Sequence, residues 1–139
     1  MSHISLIAAD KPLPPCDFRE YREKTRGRYT VGFDMGFHVE EHTYYRDAVE
    51  ELGFEMKPYR YELDLENCET DLQHLTDYLR KNLSAGEEAE LWSLWVGNGP
   101  GRLRRYRGTI DEFDMDALGM LVENEKLLEE GQTCLTVMR

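Results

Sequence analysis

The chain has 139 residues, with 28 acidic against 17 basic ones, a net charge of −11, 40% hydrophobic and 32% charged. That length suits one soluble domain burying roughly two-thirds of its unfolded surface. The charge repels nucleic acid and anionic membranes and favours a basic protein partner.

The longest apolar runs, such as LWSLWV at 91–96, fall far short of the ~20 residues of a membrane helix. The start, MSHISLIAAD, has no basic leader region, so a cytoplasmic location is expected. Cys16, Cys68 and Cys134 are odd in number and widely spaced, which argues against a disulfide framework or a zinc ribbon.

HISLIAAD (3–10) reads as a buried strand closed by KPLPP. DFREYREKTRG (17–27) reads as a short polar helix with Asp17 as its N-cap and Gly27 just past its end. YTVGFDMGFHVE (29–40) alternates, with Val31, Phe33, Met35, Phe37 and Val39 on one face, as in a half-buried strand. Thr43 is then a candidate cap for a helix presenting Tyr45, Ala48, Val49 and Leu52, with Gly53 beyond its end.

YRYELDL (59–65) alternates Tyr59, Tyr61, Leu63 and Leu65 against Arg60, Glu62 and Asp64. Asn67 is positioned to cap a helix whose buried stripe is Leu72, Leu75, Leu79 and Leu83. EAELWSLWV (88–96) is apolar on both faces near its end and reads as a central strand. RLRRYRGTI (102–110) is expected to return beside it, a short helix follows from about Asp114, and TCLTVM (133–138) is the last strand.

From Tyr59 onward the order strand, helix, strand, strand, helix, strand is that of the ferredoxin-like split βαβ unit. The expected architecture is therefore α+β, a ferredoxin-like core over 59–139. Its antiparallel sheet carries helices on one face and is extended by strands from residues 1–58. This superfold hosts many activities and assigns none.

Four arginines, Arg102, Arg104, Arg105 and Arg107, follow the glycine-rich GNGPG. A phosphate loop needs GxxxxGK[ST] running into a helix. Here there is no Lys-Ser/Thr, Pro100 removes an N–H, and a strand follows. The simpler reading is a hairpin turning at Gly97, Asn98 and Gly99, with Trp92 opposite Tyr106 or Arg105 and Arg107 near Glu88 and Glu90. The competing one is an anion- or partner-binding patch.

HVEEH (38–42) matches the H-x-x-E-H zinc pattern, in which His38 and His42 would hold the metal and Glu41 would activate water. That geometry requires a helix through the motif, whereas the alternation around it is that of a strand. Cys68, in the first turn of a helix, has the dipole that lowers a thiol pKa but sits beside Glu66, Glu69 and Asp71. Cys68 and Cys134 both read as inert thiols, and no serine elbow or dinucleotide loop is present.

No catalytic set and no cofactor emerge. The leading expectation is a small cytosolic protein that binds another protein, as an inhibitor or immunity-type factor against a basic partner. A homodimer is open to it. A metal-dependent hydrolase built on HVEEH and an anion sensor built on the arginines are the alternatives.

Overall fold

Ser2–Ala9 (β1) is the strand around which the protein is built, in a computed structural model that describes residues 2–97, 99–122 and 131–139. The other strands are β2 (Cys16–Asp17), β3 (Glu20–Arg26), β4 (Tyr29–Met35), β5 (His38–Glu41), β6 (Tyr59–Asp64), β7 (Glu88–Val96), β8 (Leu103–Thr109) and β9 (Gln132–Met138). The helices are α1 (Arg46–Glu51), α2 (Glu69–Asn82) and α3 (Met115–Gly119), with a 3-10 turn at Ile110–Glu112. Seven strands form one mixed sheet in the order β2-β5-β6-β1-β7-β9-β8, and β3 and β4 form a separate two-stranded ribbon.

The fold is mixed α and β, but its sheet is not ordered as the ferredoxin-like unit requires. That unit would set 59–65 beside 102–110, whereas β1, β7 and β9 all stand between β6 and β8. The reason lies in which strands can be buried on both faces. β1 and β9 carry apolar or small side chains on both sides and are largely buried, so they take interior places. β8 carries three of the arginines and takes the edge, where a charged strand resists pairing with another chain. It pairs β9 in parallel and does not return beside β7. Asn98, expected at the turn of that hairpin, lies outside the described residues.

Helices also cover both faces rather than one. Ile7, Leu63, Leu91 and Leu135 pack beneath α2 and α3. Leu6, Trp92, Leu94 and Cys134 pack on the other side with Val49 and Leu52 of α1 and with Phe54 and Met56. Leu75 and Leu79 of α2 and Leu83 at its C-cap are buried as the spacing predicts, and Leu72 is half-buried. Cys68 takes the N-cap place expected of Asn67, and Asp71 Oδ2 accepts the Glu66 N–H at 2.6 Å.

Residues 17–27 do not form a helix. A helix there would be polar all round, with no apolar stripe to hold it. The segment pairs instead with the β-forming residues that follow, in a seven-pair ladder from Glu20↔Met35 to Arg26↔Tyr29. Gly27, at φ 60°, takes the first central position of the two-residue turn, where a type II′ geometry calls for glycine. The alternating run expected over 29–40 breaks after Met35, so β4 joins the ribbon and only β5 enters the main sheet.

Candidate binding site

The four arginines do not converge. Alternation along β8 puts Arg105 and Arg107 on the face of α1 and Arg104 on the opposite one. Arg105, Cys134 and Trp92 lie abreast on β8, β9 and β7, so the guanidinium passes over the small Cys134 side chain. It ends 5.6 Å from the Trp92 ring. Arg107 pairs with Glu88 at 2.5 Å, and the Arg102 carbonyl accepts the Gln132 N–H at 2.8 Å. These contacts staple the edge strand to the sheet, and the alternation divides the arginines between its two faces.

The HVEEH residues lie in and just after a strand. Four residues of strand span about 13 Å, against about 6 Å for a helical turn, so His38 and His42 do not stand one helical turn apart as the zinc pattern requires. His42 is buried and its Nε2 donates to the Tyr44 carbonyl at 2.8 Å. Burial pushes its pKa down, which keeps the ring neutral and suited to that bond. Glu41 is exposed. Cys134 is a buried thiol pushed up to about 12 by desolvation, and burial also raises Cys16.

His38 instead belongs to a different group. The register His38↔Asp64 and Glu40↔Glu62 places one imidazole and three carboxylates on the same face of β5 and β6. His38 Nε2 lies 3.6 Å from Glu40 and Nδ1 lies 3.8 Å from Asp64. Glu62 is only 7% exposed. Its Oε1 accepts the Tyr44 N–H at 3.3 Å, and its buried Oε2 has no hydrogen-bond partner among the described residues. Desolvation raises its pKa, the backbone N–H groups of Tyr44 and Thr43 oppose that rise, and the charges of Glu40 and Asp64 add to it more weakly.

These carboxylates line a cavity of about 350 Å³. It exists because the β1–β6 ladder stops at Leu6↔Glu62, while β1 runs on beside β7 through Ser2. Tyr44 and Tyr45 line it too, both substantially exposed. Tyr45 holds the left-handed conformation, φ 57°, at the N-cap of α1. It is the one non-glycine residue with positive φ among those described, a strained geometry found disproportionately at ligand sites.

No protein-family model, curated protein or solved structure matches the chain.

The cleft gathers carboxylates that repel one another on one face of β5 and β6. Like charges directly opposite on neighbouring strands destabilise the pair by up to about 1 kcal/mol, and a bound cation removes that penalty. His38, Glu40 and Asp64 have ligand atoms within 4.8 Å of one another, as do Glu66, Cys68 and Asp71. Neither His38 approach, at 3.6 and 3.8 Å, is a hydrogen bond, and its buried Nδ1 has no hydrogen-bond partner among the described residues. Asp71 already accepts a backbone N–H. A guanidinium or ammonium, with several donors spread over a few ångströms, suits separated carboxylates and two phenol rings better.

The alternation of 59–65 already held Glu62 and Asp64 on one face, with Arg60. What buries Glu62 is the passage of Thr43–Tyr45 over it, which no local periodicity encodes.

Proposed function

We propose that the protein is a non-catalytic binding module that receives an arginine or lysine side chain of a basic protein partner in the cleft of Glu40, Glu62 and Asp64. The observation that carries this reading is the Glu62 carboxylate, buried beside the cavity, its Oε2 shielded from solvent and without a hydrogen-bond partner among the described residues, with a second glutamate opposite. An inhibitor or immunity-type role in the cytoplasm accords with this chemistry and with the net charge of −11. The hydrolase and anion-sensor alternatives lack comparable support, since His42 is engaged by Tyr44 and the arginines are divided between two faces.

Calorimetric titration with a short blocked arginine peptide tests the proposal. Binding is expected to strengthen as pH rises through the elevated pKa of Glu62, because the ionised form is the receptor. Glu62→Gln keeps the acceptor for Tyr44 but removes the charge, and is expected to weaken binding by about tenfold or more. Equal affinity in the variant, or no heat with the wild type, would sink the reading.

A further inference from the structure

The ribbon of β3 and β4 is exposed on nearly every residue, with Tyr29 at 79% and Tyr21 at 66%. A two-stranded ribbon with both faces in water is marginal on its own, and this one leaves Tyr29 and Tyr21 largely exposed among the described residues. Tyr21 lies flat on its partner strand: a Cβ on Gly32 would fall 1.9 Å from its hydroxyl. The ribbon as a whole is mixed in charge, but its tip is basic where the rest of the chain is acidic. Residues 24–33 hold Lys24, Arg26 and Arg28 and no acid, leaving 17 − 3 = 14 basic residues against 28 acidic ones elsewhere. Lys24 lies 5.9 Å from the Phe33 ring, and neither Arg26 nor Arg28 has an ion pair among the described residues.

The base of the ribbon sits next to the cleft. Arg22 pairs with Glu66 at 3.1 Å, and Glu66 follows the cavity-lining Leu65 directly in the chain. From Arg22 to Gly27 an extended strand covers about 17 Å. The tip is therefore carried away from the base, and no ribbon residue lines the cavity.

From this charge complementarity we infer that the occupant of the cleft is the ribbon tip of a second copy of the chain, Arg26 or Arg28 entering between Glu40, Glu62 and Asp64. The inference rests on the cation-receptor reading above but takes the basic group from the ribbon tip of an otherwise acidic second copy, in place of a basic protein. Because ribbon base and cleft adjoin, one two-fold axis lets each copy give its tip and receive the other, an isologous exchange. The exposed Tyr29 enters the interface beside the arginines and meets Tyr44 and Tyr45 at the rim.

The experiment is sedimentation velocity from low micromolar to submillimolar concentration, on the full chain and two charge-reversal variants. One carries Arg26→Glu with Arg28→Glu, the other Glu40→Lys with Asp64→Lys; all four positions are solvent-accessible, so folding is retained and is checked by circular dichroism. Wild type is expected to dimerise, more weakly as salt rises. Each variant alone is expected to be monomeric, and their mixture to form the heterodimer, since reversed tip then meets reversed cleft. A wild type that stays monomeric while the blocked arginine peptide still binds overturns the homotypic inference and leaves the receptor reading standing. Dimers that persist in both variants overturn it as well. Failure of both dimerisation and peptide binding removes the receptor reading itself.

Discussion

β7 and the β3–β4 ribbon are both made of well-paired antiparallel strands, yet they treat side chains in opposite ways. β7 lies between β1 and β9 and buries Leu91, Trp92, Ser93 and Leu94 completely. The ribbon has an unbroken seven-pair ladder and leaves most of its residues in water. Backbone pairing is common to both, so it is burial that separates what the fold requires from what is free for a partner. The cleft lies between these extremes, with polar side chains held in the sheet and turned toward a cavity.

The strongest way to break the comparison is at its buried end. Trp92 is inaccessible to solvent, stacks on Phe54 at 6.0 Å and carries the Arg105 guanidinium over its ring. Trp92→Ala is expected to lose about 3–5 kcal/mol of unfolding free energy in denaturant melts. A loss below about 1 kcal/mol would mean that the face of the sheet under α1 is not the packed layer described.

Glu62→Gln probes the intermediate case, and its sign is opposite. A carboxyl whose folded pKa is raised contributes most below its ordinary value of about 4.5, and that contribution is lost as pH rises through the folded value. At neutral pH the ionised Glu62 is therefore a burden on the free protein. The variant is expected to be more stable than wild type by up to about 1 kcal/mol at pH 7, the difference closing near pH 4. Thermal melts across that range check it, and a destabilised variant at pH 7 would show that Glu62 is satisfied where it sits. Stability given up for an unfilled receptor is the usual signature of a site kept for binding.

The same contrast explains what the sequence disclosed. Strong periods placed β1, β6, β7, β9 and α2, because a strand apolar on both faces or a leucine stripe at helical spacing has one way to bury itself. The partner of β8 was not legible from its own residues. Its arginines exclude the interior, but only the more apolar β9, thirty residues later, decides which strand it must yield to. Residues 17–27 misled for a related reason: a polar segment takes its conformation from whatever pairs with it, here Tyr29–Met35. His38 was marked as a metal ligand through its spacing to His42, a distance in sequence that a strand turns into separation in space. Its neighbours in the fold, Glu40 and Asp64, come from alternation on two strands whose register had to be seen.

The exposed end of the comparison gives the smallest effect on stability and the most pointed one. Tyr29, across from Arg26 at the ribbon tip, buries little in the free chain. Tyr29→Ser is therefore expected to change unfolding free energy by no more than about 0.5 kcal/mol, the range of surface substitutions that touch no buried feature. Its effect belongs to association, because an aromatic ring that is idle in the monomer contributes once a partner covers it. Denaturant melts at low concentration and sedimentation at high concentration separate the two. An unchanged melt with a weakened dimer assigns the ring to the interface. A melt that shifts by more than about 1 kcal/mol would instead make the ribbon part of the folded core, and erase the distinction between a sheet that buries its residues and a ribbon that offers them.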